Sequence, residues 1–233
     1  AHGMVGYREC VAWENARTVA DELRAAGYQT AWIGRSMHQH PPEKAFGFEY
    51  LRVLRSGDSD YTADLRRRRP DDWEGIYGTG VMHNDWTARP WHLEEDLHPT
   101  NWTVHEALRF LRARDPLRPF FMVVSFLAAH PPLLPPAFYL ERYIRTGVPE
   151  PVVSDWAEPP PDGGRGMDVS ADRVDLRGEA LLSARAGYYG LINHVDDQVR
   201  RLLNPITGVD AATGYNTVVM LTSDHGEMLG DHH

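Results

Sequence analysis

The chain has 233 residues, 42% of them hydrophobic and 24% charged, which is enough to bury the core of one α/β domain. Its net charge of -9 excludes a general nucleic-acid binder, and no apolar run approaches the roughly 18 residues of a membrane-spanning helix. The single cysteine, Cys10, excludes an internal disulfide framework and a cysteine-rich metal site.

The first structural signal is "ENARTVADELRAAGYQTAWIG". Val19 and Leu23 have helical spacing, Gly27 closes the helix from the C′ position, and residues 28–33 read as a short apolar strand. Residues 55–100 follow without a clear period, rich in Arg, Asp, Gly, Trp and His. Within them the run Arg66-Arg67-Arg68-Arg69 reads as a solvated loop. The second unit is "NWTVHEALRFLRARDPLRPFFMVVSF". Val104, Leu108 and Leu111 recur at helical spacing, Asp115-Pro116 breaks the helix, and residues 120–126 form the strand. Residues 146–177, with "EPPPDGGRG", read as a surface excursion. The third unit begins with "GEALLSARAGYYGLINHVDDQVRRLLN", a long helix whose expected buried stripe is Leu181, Leu182, Tyr189, Ile192, Val199 and Leu202. The strand "NTVVMLT" should follow it.

Helix, break and strand repeated three times predict an α/β fold, a mostly parallel sheet sandwiched by helices, in one domain over residues 1–233. Ligands of such sheets lie beyond the carboxyl ends of the strands. The first strand leads into Arg35, His38 and His40, the second into His130, and the third into Asp224 and His225. A carboxylate beside an imidazole can hold a divalent cation, and Gly226 lets the backbone turn closely around it. Ser223 or Asp224 can equally cap a helix starting near Gly226.

These residues resemble the sulfatases of the alkaline-phosphatase-like superfamily. "TSDHGEMLGDH" is similar to their metal-ligand segment, and "TVADELRAAGYQTAWIGR" to the stretch leading into a Gly-Lys-x-His motif. "RPFFMVVSFLAAHPPLLPP" resembles their Pro-Phe-Phe strand and His-Pro turn. "ARAGYYGLINHVDDQVRRLL" resembles the helix before the metal strand, and "HPTNWTVHEALRFLRARDP" is similar to bacterial members. The resemblance implies that Asp224 and His225 are ligands of one divalent cation, Ca2+ in most members. It also implies that His130 hydrogen-bonds the sulfate or the leaving-group oxygen. Arg35 and His38 stand where the family has its Lys and His, with Arg in place of Lys and with Ser36 and Met37 between them instead of one residue.

The implied nucleophile is a formylglycine made in a Cys/Ser-x-Pro-x-Arg motif, and Cys10-Val11-Ala12-Trp13-Glu14 does not match that motif. Nor is there an Asp-Asp pair on an N-terminal strand, and the family's second lysine would lie past His233. The expectation is therefore an incomplete alkaline-phosphatase-like core, an internal piece of a longer sulfatase. It would lack the nucleophile strand and the C-terminal subdomain and be inactive on its own. The implied substrate is a small sulfated molecule. The segment "GVMHNDWTARPWHLEEDLHP" would suit a sulfated sugar through Arg89, Trp91 and His92, with Trp86 and His83 beside them, or else be a loop packed by its own tryptophans. The alternatives are a phosphonate or phosphodiester hydrolase of the same superfamily and a non-catalytic member. Oligomeric state and cell compartment stay open.

Overall fold

The computed structural model describes residues 17–36, 40–41, 44–55, 57–72, 74–82, 84–160, 173–207 and 216–233. Cys10, His38 and His83 lie outside the described residues, as does most of the "EPPPDGGRG" excursion.

Three strands form a parallel sheet in the order β2-β1-β3: β1 (Gln29–Arg35), β2 (Tyr50–Leu54) and β3 (Phe120–Ser125). Trp32 of the central strand pairs with Leu51 on one side and Val123 on the other. Strand β1 is fed by α1 (Val19–Ala25), where Thr18 and Asp21 form a capping box. Gly27, at φ +93°, makes the turn that L side chains resist.

The two faces of β1 are covered differently. Ala31 and Ile33 pack with Val104, Ala107, Leu108 and Phe110 of α3 (Pro99–Ala113). Trp32 points the other way and meets Phe48 edge to face at 5.3 Å, and Phe48 stacks on Phe121 at 5.9 Å. At the carboxyl end of β1, Gly34 holds φ +103°, and a Cβ there would lie 2.0 Å from the Ser125 carbonyl oxygen. Only glycine lets β1 and β3 stay this close at the rim.

The region 55–100 is more ordered than its composition predicts. It contains α2 (Asp60–Arg68), capped by Ser59, and two short 3-10 turns. The arginine run is the last turn and C-cap of α2, not a loop. Its members pair in turn with Asp58, Asp64, Asp96, and Asp72 with Glu94. Cations at a helix C-terminus are also favoured by the macrodipole. Arg52 of β2 knits the layers by bridging Asp60, Asp64 and Glu106 at 2.7–2.8 Å.

Helices α4 (Ala137–Thr146) and α5 (Gly178–Thr207) complete the described elements. The buried face of α5 is Leu181, Ala184, Gly187, Leu191, His194, Gln198 and Leu202, so only Leu181 and Leu202 of the expected stripe are buried. Small residues won because neighbouring segments lie too close for a larger side chain, Ala88 and Leu133 at Gly187 and the Tyr139 backbone at Gly190. A Cβ on Gly187 would stand 2.5 Å from the Ala88 Cβ. Ile192, expected inside, is 45% exposed.

The third expected strand is not present. Residues 216–222 adopt no ladder among the described residues, and Val218 and Leu221 are 92% and 86% exposed. Apolar alternation supplies a strand's side chains but not a backbone partner, and no described strand edge pairs with this segment.

Candidate active site

A groove of about 1630 Å³ runs along the edge of β3 that no other described strand occupies. One wall is β3 with the turn after it, the other is the segment 216–227, and Tyr188, Ile192 and Val195 of α5 line it between them. Arg35, the last residue of β1, lines the same groove, as do His130, Asp224 and His225. The carboxyl ends of two strands and the segment after α5 thus meet at one rim.

His130 is held by a rigid turn. Its N–H donates to the Leu127 carbonyl at 3.1 Å, and the strap that follows is buried at Leu133 and Leu134. The strap is pinned from two directions. Arg89 and Trp91 donate backbone N–H groups to the Leu133 and Pro135 carbonyls, and His98 Nε2 donates to the Leu134 carbonyl at 3.1 Å. The Nδ1 of His130 lies 2.6 Å from the Pro131 carbonyl oxygen. A carbonyl only accepts, so Nδ1 carries the proton and Nε2 is the nitrogen offered to the groove.

His225 repeats this device. Its Nδ1 donates to the Gly226 carbonyl at 3.1 Å, which leaves Nε2 on the side of Asp224, 3.9 Å from Oδ2. The Gly226 carbonyl and then the Asp224 charge hold the imidazole above its ordinary pKa. Asp224 Oδ1 accepts the His225 backbone N–H at 2.9 Å, and Ser223 Oγ donates to the His225 carbonyl at 2.6 Å. These contacts make a tight polar turn and not the start of a helix. The rings of His130 and His225 meet edge to face with centroids 6.2 Å apart.

The far end of this turn is anchored by Arg185, which is buried on α5. It donates to the Leu229 carbonyl at 3.0 Å and the Pro149 carbonyl at 2.7 Å, and it pairs with Asp231. Asp231 in turn accepts the Val152 N–H at 2.9 Å. The sequence marks this anchor faintly, as one arginine in the small-residue stretch "ARAG".

Arg89, Trp91 and His92 do not join the rim. Trp91 is buried in the core cluster with Tyr61, Leu97 and Trp102, and its indole N–H donates to the Glu94 carbonyl. Arg89 is exposed and donates to the Thr79 carbonyl at 2.9 Å. His92 is exposed beside Trp91, and none of the three lines the groove. The segment is therefore a loop packed around its own tryptophan, because Trp91 gains more from the core than from solvent.

Asp224 and His225 fit part of a cation shell, a carboxylate oxygen and an imidazole nitrogen side by side and largely exposed. Among the described residues no group of three or more His, Cys, Asp or Glu converges. A hard cation takes six to eight oxygen ligands, so these two make up a minority of a shell.

The described elements form a parallel α/β domain with Arg35, His130, Asp224 and His225 along one groove, and comparison with known proteins gives its family. The Sulfatase family model matches residues 5–233, and the chain belongs to the sulfatase family. It is 38% identical to an arylsulfatase of Clostridium perfringens, over all of this chain and 51% of that protein. It is 28% identical to a choline-sulfatase of Rhizobium meliloti, over 92% of this chain and 43% of that one. The chain thus spans about half the length of the curated relatives it matches. Among solved structures, the phosphonate monoester hydrolase of Agrobacterium radiobacter superposes with a TM-score of 0.69 at 26% identity, over 94% of this chain and 49% of that one.

Proposed function

We propose that this chain forms the leaving-group and cation side of a sulfuric ester hydrolase. The observation that carries the proposal is the meeting of His130 and His225, with ring centroids 6.2 Å apart, in the groove that Arg35 and Asp224 also line. The 38% identity to an arylsulfatase supports sulfate monoesters as the substrate class.

Hydrolysis of a sulfate monoester breaks the bond between sulfur and the ester oxygen, and the departing oxygen needs a proton. His130 is suited to supply it from Nε2 in its cationic form, because the Pro131 carbonyl fixes the opposite nitrogen and the ring plane. Arg35 contributes positive charge at the end of β1, where the sulfate oxygens would lie. Asp224 and His225 would hold a divalent cation, Ca2+ in this reading. When bound, it polarises the sulfate oxygens as a Lewis acid. No residue of this chain is assigned as nucleophile.

The groove itself belongs to the same reading. No strand among the described residues pairs with the outer edge of β3, and 216–222 offers exposed apolar side chains across from it. An additional extended strand between them would give both backbones a partner and bring its own carboxyl end to the rim. That is where a formylglycine-bearing segment and further oxygen ligands for the cation would enter.

Assays of this chain and of a longer form carrying flanking coding sequence, against an aryl sulfate and a phenyl phosphonate, test the proposal. The expected result is no turnover by the 233-residue chain and cation-dependent sulfate release by the longer form. Preference for the phosphonate would favour the second reading, a phosphonate monoester hydrolase, which the 0.69 TM-score supports. Turnover by neither form would overturn both readings.

A further inference from the structure

A second recess of about 400 Å³ opens between α2, α3 and α5 and shares no lining residue with the β3 groove. Five arginines line it: Arg67 and Arg68 from α2, Arg109 and Arg112 from α3, and Arg201 from α5. Asp64 and Glu106 also line it: Asp64 is shared between Arg52 and Arg67, Glu106 between Arg52 and Arg109, and Arg68 pairs with Asp96 outside the recess. Among the described residues Arg112 and Arg201 pair with no carboxylate. Arg201 makes only a 3.4 Å hydrogen bond to Gln198 Oε1. In a chain of net charge -9 this is a local reversal of sign.

The recess also has a firm back wall. Trp102 is buried and donates its indole N–H to Asp64 at 2.8 Å, with Leu108 beside it. His105, half-buried in the same recess, is held below its ordinary pKa by desolvation and then by the Arg201 charge.

We propose that this recess binds a tetrahedral oxyanion, a sulfate or phosphate group free in solution or carried on a larger ligand. The guanidinium groups of Arg112 and Arg201, on neighbouring helices, supply planar forks suited to two oxygens each, and Arg68 and Arg109 flank them. The site is separate from the proposed reaction at the rim and does not depend on it.

Calorimetric titration with sodium sulfate and sodium phosphate at constant ionic strength, with sodium chloride as control, tests the proposal. The proteins compared are the wild type, the exposed double variant Arg112→Gln/Arg201→Gln, and the rim variant His130→Ala/Asp224→Asn. The expected result is a saturable event that survives the rim changes and weakens at least about tenfold in the arginine double variant. The His105 ring resonances should move with it. A sulfated monosaccharide and its unsulfated parent are titrated in parallel. Tighter binding of the sulfated sugar than of sulfate assigns a ligand-borne group, and equal binding assigns the free ion. Heats no larger than those of chloride, or equal in wild type and arginine variant, would overturn the proposal.

Discussion

His130 and His225 use one local device twice. Each ring donates Nδ1–H to the carbonyl of the residue that follows it, Pro131 or Gly226, and each thereby offers Nε2 to the same groove. Two chain segments far apart in sequence thus present identical, oriented nitrogens with ring centroids 6.2 Å apart. The orientation comes from the backbone and needs no second side chain.

If His130 protonates the leaving oxygen, its loss matters most when that oxygen leaves poorly. In the longer form, His130→Ala should lower kcat on a sulfate ester by roughly 10²–10⁴-fold. The loss should shrink for a nitrophenyl leaving group. A series of aryl sulfates of graded leaving-group acidity checks this, and an equal loss across the series would assign His130 a structural role.

Arg185 ties α5 to the C-terminal turn through Leu229 and Asp231 and to the loop after α4 through the Pro149 carbonyl. Arg185→Met should leave Asp231 partly buried without its partner, at a cost of about 3 kcal/mol. Urea unfolding measures the loss. The double change Arg185→Met/Asp231→Asn should recover part of it, because no charge is then left unpaired.

At the rim end of β1, Gly34→Ala would drive a methyl group into the Ser125 carbonyl and impose a positive φ on an L residue. The expected cost is about 2–3 kcal/mol, read from the shift in urea midpoint. Gly57, which has no atom within 4 Å of its would-be Cβ, should lose only the cost of its positive φ on the same change.

A buried histidine pair should make stability depend on pH. His98 and His194 lie edge to face at 4.7 Å, and the Nδ1 of His194 has no hydrogen-bond partner among the described residues. Burial lowers the His194 pKa to about 4 and pushes His98 well below its ordinary value. Above the unfolded value of 6.5 both states are neutral and stability is at its full value. As pH falls below 6.5 the unfolded chain takes up protons that the folded chain refuses, so stability drops until the folded value is reached. For His194 the drop is on the order of 3 kcal/mol. Urea midpoints from pH 7 to pH 4 measure it, and His194→Gln should flatten part of the slope.

Much of this arrangement was legible in the sequence because it rests on local chemistry. Gly27 after a capped helix and Asp115-Pro116 before an apolar run mark α1–β1 and α3–β3 to within two residues. Arg35 and His130 follow the ends of β1 and β3 as the strand-end rule expects, whereas Asp224 and His225 line the same groove without the strand that was expected to carry them there. What depends on partners far along the chain was not legible. Strand β2 has only five residues and alternates little, and α2 is dominated by the charges that its ion pairs later neutralise. The buried face of α5 does not follow its large apolar residues, because Gly187 admits Ala88 and Leu133 and Gly190 admits the Tyr139 backbone, while the larger Ile192 faces the groove. Residues 216–222 carry a strand's side chains but pair with no strand among the described residues.

Diffraction from the longer form, crystallised with Ca2+ and sulfate, tests the shared rim most directly. A calcium peak is expected about 2.3–2.6 Å from an Asp224 oxygen, with His225 beside it and a sulfate within hydrogen-bonding reach of His130 Nε2. Calcium bound elsewhere while Asp224 and His225 face empty solvent would contradict it.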